Sequence, residues 1–286
     1  ERAAEATKRG EYEDEIIPFE SEGRSAETVD QGIRFGQSRG GFRRLKPVFG
    51  TKDVTPGNAS QISDGSAGVL LMTESKAREL GLVPMAFVSG VSDAGVDPAE
   101  MGIGPAYAIP QALKRAGRAL SQVQAFEINE AFAAQTGAVI KALGLSKDAV
   151  NPRGGAIALG HPLAASGARI LTSLIHHMMH NDLELGVCSL CIGGGEGIAA
   201  VVERDPSGLS AKSIQAMRAD LKRRGVSEGV LEEVERSLNG LPPVLRAKRT
   251  GTSDGMRPEA EGYASVLEFA LELEEAARPG SSGLEP

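Results

Sequence analysis

Cysteine is scarce in this chain. Cys188 and Cys191 are the only two among 286 residues, and no second Cys or His pair stands at metal-ligand spacing. A disulfide framework is thereby excluded and a reducing compartment fits. The two thiols do form a Cys-x-x-Cys, but a lone pair is weak evidence for zinc, and an odd offset on a strand turns the side chains to opposite faces. Metal and redox readings are set aside. Long apolar runs are also missing: no stretch of about 18 apolar residues occurs, so no helical membrane span is expected. Nor is there a basic excess. The net charge is −7 with Lys and Arg dispersed, which gives no electrostatic reason to expect nucleic-acid binding. An initiator Met is absent, since the sequence begins at Glu1. The expectation is a processed chain or a fragment whose targeting signal cannot be read.

What is present is organised as alternating apolar runs and helical periods. Residues 1–9 read as a helix stopped by Gly10, and 15–19 as an extended run. Residues 20–56 show little periodicity, with a basic group of Arg34, Arg39, Arg43, Arg44 and Lys46 whose plain reading is a solvated loop. Strands are expected at Ala67–Met72, Ala86–Val91, Val123–Ile128, Leu185–Leu190 and Ile198–Glu203. Helices are expected at 74–80, at 109–116 behind Pro110, at 130–143, and after His161 to about Met179. The apolar face of this last helix comprises Ile170, Leu171, Leu174, Ile175 and Met178. Beyond Arg204, periodicity predicts helices at 210–224, 227–238 and 258–277, with a Pro/Gly/Thr linker at 239–257 and a disordered Pro-Gly-Ser-Ser-Gly tail. Strands alternating with helices of this length predict α/β layers.

Three stretches carry candidate chemistry: Asn129-Glu130-Ala131-Phe132, Gly160-His161-Pro162, and Cys191-Ile192-Gly193-Gly194-Gly195. An amide, an imidazole and a thiol are thus delivered by separate loops. Each has a plainer alternative. Asn129 could be an N-cap, His161 a hydrogen-bonded structural residue, and Cys191 an inert buried thiol. The glycine and proline around His161 build a rigid turn, where an imidazole can act on a nucleophile or an oxyanion. The triple glycine reads as a tight turn needing positive dihedrals or close approach.

Residues 1–203 resemble the C-terminal half of a thiolase. The three stretches are similar to that family's Asn-Glu-Ala-Phe, Gly-His-Pro and Cys-x-Gly signatures, supported by Gly57–Gly65, Met101–Pro105 and Gly154–Pro162 in the same order. The resemblance implies a layered αβαβα fold of which only the second half-domain is complete. On this reading 1–56 belong to a loop region covering coenzyme A, 57–82 end the first half-domain, 83–204 form the second, and 205–286 are a helical appendage. The implied activity is CoA-dependent thiolysis of 3-ketoacyl-CoA in fatty-acid β-oxidation, with acetoacetyl-CoA as the second substrate option.

The implied roles follow the same motifs. His161 would deprotonate a nucleophilic Cys, and with a water held by Asn129 it would polarise a thioester oxygen. Cys191 would move the α-proton, its pKa lowered by basic neighbours, and the Gly193 N–H would line an oxyanion hole. Arg34, Ser60 and Met101 would contact coenzyme A, a co-substrate rather than a permanent cofactor. A homodimer or tetramer, and a peroxisomal or mitochondrial location with the cytoplasm also open, are further implications. The family's nucleophilic Cys has no counterpart here. Two classes therefore stay open: an enzyme whose missing half lies upstream or on another polypeptide, and a non-catalytic CoA-binding or dimerising module. Two departures stand out. Ala164 replaces a usual Gly, costing about 1 kcal/mol if its φ were positive, and Arg153 replaces a small or amide residue.

Overall fold

The computed structural model describes residues 1–19 and 26–204, with 222, 223, 226, 228, 229 and 231 beyond them. It divides into two units, Glu1–Val69 with Val88–Glu203, and Leu70–Phe87 with Arg204–Pro286. The helices expected at 210–224, 227–238 and 258–277, with the linker and tail, lie outside the described residues apart from those isolated positions. In the second unit α3 (Glu74–Glu79) buries Ala77 and ends at Gly81, whose φ is +62°.

The first unit opens with α1 (Arg2–Lys8), stopped at Gly10, and a short α2 (Arg39–Arg43) inside the irregular basic loop. Its body is a four-stranded sheet of β1 (Phe87–Gly95), β2 (Ala125–Ile128), β3 (Leu185–Ile192) and β4 (Glu196–Glu203), in the order β1-β4-β3-β2. β2 and β3 are parallel, β3 and β4 antiparallel. Between them run α4 (Gly104–Ala116), α5 (Ala133–Leu143), the single-turn α6 (Ala156–Leu159) and α7 (Ser166–His180). These helices cover both faces of the sheet. Ile109 and Leu113 of α4 cluster with Ile128, Val187 and Val201. On the other face Gly186 leaves room for Leu174 and Met178 of α7, whose atoms would lie 2.9 and 2.6 Å from a Cβ there. Ile170, Leu174 and Met178 are fully buried, as the helical period of the sequence predicts.

The structure corrects several boundaries. Residues 67–72 are not a strand, and Leu70 and Leu71 are 78% and 70% exposed. An apolar run without a neighbouring strand has no ladder to join. α4 begins at Gly104, with Pro110 inside it rather than at its start. Pro110 lies on the exposed side of the helix, where the carbonyl it leaves unpaired meets water. α5 begins at Ala133 because the preceding backbone is engaged elsewhere: Ser60 N donates to the Ala131 carbonyl at 2.9 Å and Ala133 N to that of Asn58 at 2.8 Å. α7 starts at Ser166, five residues after His161, and Cys191 belongs to β3 rather than to the turn that follows. Ala164 is not among the described residues of positive φ, so its methyl carries no backbone strain.

Candidate active site

Asn129 is the first residue past β2, and its backbone N–H extends the parallel ladder by donating to the Ser189 carbonyl at 2.9 Å. Cys191 lies two residues further along β3, so amide and thiol emerge at the same carboxyl edge of two parallel strands. Crevices at such edges are where open α/β sheets hold ligands. The edge is held by Asn151, whose side chain accepts from Ile128 N and donates to Ile128 O, both at 2.8 Å, as a neighbouring strand would. Asn151 sits at φ +47°, a conformation asparagine tolerates. Glu130 takes a hydrogen bond from Asn151 Nδ2 at 3.0 Å and from Ile157 N at 3.2 Å. Its role is to tie the Asn129 loop to the glycine-rich loop.

That second loop presents His161. Gly160 has φ +94°, and a Cβ there would come within 2.3 Å of Ser63 Oγ. The same hydroxyl accepts from His161 N at 3.3 Å. Gln61 fastens the other side, donating to the carbonyls of Gly32, Ile157 and Ala158. The imidazole is then gripped at both nitrogens. Asn129 Nδ2 lies 3.2 Å from Nε2, and Ser166 Oγ lies 2.5 Å from Nδ1.

The polarity of this chain can be assigned. Arg169 Nη2 donates to Asn129 Oδ1 at 3.4 Å, so the amide turns its NH₂ toward His161. Nε2 must accept, Nδ1–H donates to Ser166, and Ser166 donates to the Pro162 carbonyl at 3.1 Å. The result is a neutral imidazole with a free-base Nε2. Burial lowers its pKa, helped by the charge of Arg169, which keeps it a base near neutral pH.

Cys191 is 7% exposed and its thiol is free. The expectation of a lowered pKa is corrected: burial raises it, opposed by a backbone hydrogen bond rather than by a cation. It shares the strand edge with Asn129, but among the described residues no hydrogen bond joins it to Asn129 or His161. Gly193 is exposed at the start of the β3–β4 turn. Gly194 and Gly195 have φ of +102° and +94°, and a Cβ on Gly195 would meet the Val96 carbonyl at 2.3 Å. Val96 N in turn donates to Gly195 O at 2.6 Å. This contact anchors the segment that carries Met101, half-buried in the 3₁₀ turn Pro98–Ile103. Ser60 is half-buried and tied to Ala131; Arg34 is exposed.

The family profile "Thiolase, N-terminal domain" matches residues 1–75, and "Thiolase, C-terminal domain" matches 82–204. The chain belongs to the thiolase family. A "Probable acetyl-CoA acyltransferase" of Staphylococcus aureus (strain MRSA252) is 49% identical over 210 residues, which are 71% of this chain and 53% of that protein. Among solved structures, Bacillus anthracis acetyl-CoA acetyltransferase superposes with a TM-score of 0.68 at 45% identity, over 71% of this chain and 52% of that one. Human mitochondrial 3-ketoacyl-CoA thiolase in complex with CoA gives 0.66 at 38%, over the same shares. This thiolase chain thus spans about half the length of the relatives it matches.

The thiolase motifs pointed to Asn129, His161, Cys191 and Gly193, but not to the residues that orient them. Arg169 and Ser166 were missed, although a Ser and an Arg three residues apart at a helix start share one face. Arg153 was seen only as a departure. It is 2% exposed, donates to Glu11 O, Glu15 and Ser173 O, and stacks 4.9 Å over Tyr12.

Proposed function

We propose that this chain supplies the acid/base and oxyanion half of a CoA-dependent acyl transfer: thiolysis of a 3-ketoacyl-CoA to acetyl-CoA and a shortened acyl-CoA. The reverse direction is a Claisen condensation. The observation that carries the reading is the neutral His161, its Nε2 lone pair beside the Asn129 amide. The nucleophilic thiol comes from outside the chemistry of this chain's own cysteines. Cys188 is buried on the α7 side of β3 with its pKa pushed up to about 12, and cannot serve.

In the cycle, His161 Nε2 takes the proton of that thiol, and the thiolate attacks the 3-keto carbon. The Gly193 N–H lines the hole for the oxyanion so formed, while the new Nε2–H and Asn129, through a water, polarise the thioester oxygen onto which the enolate charge spreads. Collapse breaks the C2–C3 bond, leaving the electron pair on C2 as the enolate of acetyl-CoA, which Cys191 protonates. The Cys191 thiolate then takes the proton of coenzyme A, whose sulfur attacks the acyl-enzyme. The departing nucleophile recovers its proton from His161. A Cys191 whose pKa is raised by burial is protonated at rest, as the first of its two steps requires. Arg34 beside the adenine, Ser60 along the pantetheine and Met101 near the acyl end are the proposed CoA contacts, and fatty-acid β-oxidation the proposed setting. The Cys191-Ile-Gly-Gly-Gly195 turn resembles the acetoacetyl-CoA type of thiolase, and the 60–64 and 101–110 segments resemble the 3-ketoacyl-CoA type, which is the reading we prefer. In an enzyme assembled with the nucleophile-bearing half, Cys191→Ala is expected to retain acylation and lose exchange of the α-proton with D₂O. Normal exchange in that variant refutes its role.

A further inference from the structure

We propose that Arg169 is a positioning residue that, acting through Asn129, fixes which nitrogen of His161 carries the proton. Without it the hydrogen-bonded chain has two arrangements that join the same three side chains. In one, Asn129 donates to Nε2 and Nδ1–H donates to Ser166. In the other, the amide is turned over, Nε2–H donates to Asn129 Oδ1, and Ser166 donates to Nδ1. The far end of the chain favours the first only through the Ser166 hydroxyl's bond to the Pro162 carbonyl at 3.1 Å, and weakly. The Pro162 carbonyl already accepts the backbone N–H groups of Ala165 at 2.7 Å and Ser166 at 2.9 Å, so it does not need the Ser166 hydroxyl.

Arg169 does choose, because a guanidinium only donates. With Nη2 3.4 Å from Asn129, only the oxygen of the amide can face it. The rest of its environment explains little of its presence. Its Nε and Nη1 are buried without hydrogen-bond partners, and its nearest carboxylate, the fully buried Glu127, stays 3.9 Å away with Oε1 also unpartnered. Arg153 differs: its two terminal nitrogens reach Glu11 O, Glu15 and Ser173 O at 2.5–2.9 Å. A cation kept for architecture alone is paired in that way. The terminal hydrogen bond that Arg169 does make goes to Asn129, the side chain beside Nε2 of His161.

The inference rests on the thiolase reading only for the use made of the tautomer. Its test needs no turnover, so the two can fail separately. The full chain is labelled with ¹⁵N-histidine, and long-range proton–nitrogen spectra are recorded at mildly alkaline pH, with His161 assigned by its absence in His161→Ala. Wild type is expected to give the pattern of an Nδ1–H tautomer, and Arg169→Lys, which still only donates, to keep it. The double variant Glu127→Gln/Arg169→Met, which removes both buried ionisable groups together, is expected to lose the single-tautomer pattern, its two nitrogen shifts moving toward each other. An unchanged pattern in that variant overturns the proposal. Should the double variant not fold, Asn129→Asp decides: an acceptor on both sides is expected to move the proton to Nε2, and retention of the Nδ1–H form there also overturns it.

Discussion

At the scale of single residues, the candidate site is packed against buried ionisable groups that its motifs do not include. Glu127 is 1% exposed, and burial pushes its pKa up to about 8 from 4.5 against the opposing pull of Arg169 and Arg153. Between those two pH values the folded chain holds a proton that the unfolded chain has released, so stability is full below the lower value and declines as pH rises through the upper one. Thermal melts of the wild type across that window are expected to show the decline, and Glu127→Gln to flatten it; parallel slopes would contradict the assignment. His161, Asn129 and Cys191 stood out as candidates in the sequence because loops and glycines flank them. Arg169 and Ser166 were not, since their meaning appears only when α7 folds back to bring them beside His161 and Asn129. The lowered thiol pKa expected at Cys191 also failed, because a sequence does not say whether a cation will lie beside a strand end.

Among the elements, those with a strong period were legible and those defined by their partners were not. α7 could be read from Ile170, Leu174 and Met178, and truncating Ile170 to Ala is expected to cost about 2–5 kcal/mol in chemical denaturation. The triple glycine was readable as a turn, and the structure adds why its third member is needed. Gly195 combines a φ of +94° with a carbonyl 2.3 Å from where a Cβ would stand. Gly195→Ala is expected to lose about 1–3 kcal/mol by the same measurement, and an unchanged midpoint would show that the Val96 contact is dispensable. Residues 67–72 failed as a strand for the converse reason. An apolar run signals burial, but it does not name the neighbour. With Leu70 and Leu71 exposed, Leu70→Ser/Leu71→Ser is expected to raise the concentration at which the isolated chain precipitates. Equal solubility would show that this patch is not what limits it.

For the molecule as a whole, strand and helix alternation was enough to give α/β layers, and three motifs in order were enough to give the family. Neither could supply the strand order β1-β4-β3-β2, which depends on long-range pairing that local pattern does not encode. It is that order, with β2 and β3 parallel, that brings Asn129 and Cys191 to one edge and makes a half-site from separate loops. The central claim is that this half-site works on a nucleophile contributed by the other half of a thiolase. It is tested most directly by co-purifying the chain with the part of the S. aureus relative that it does not cover, and following CoA-dependent cleavage of acetoacetyl-CoA. Turnover is expected from the purified pair, none from this chain alone, with a loss of about 10²–10⁴-fold in His161→Ala. Turnover that survives His161→Ala, or a co-purified pair that cleaves nothing, would contradict it.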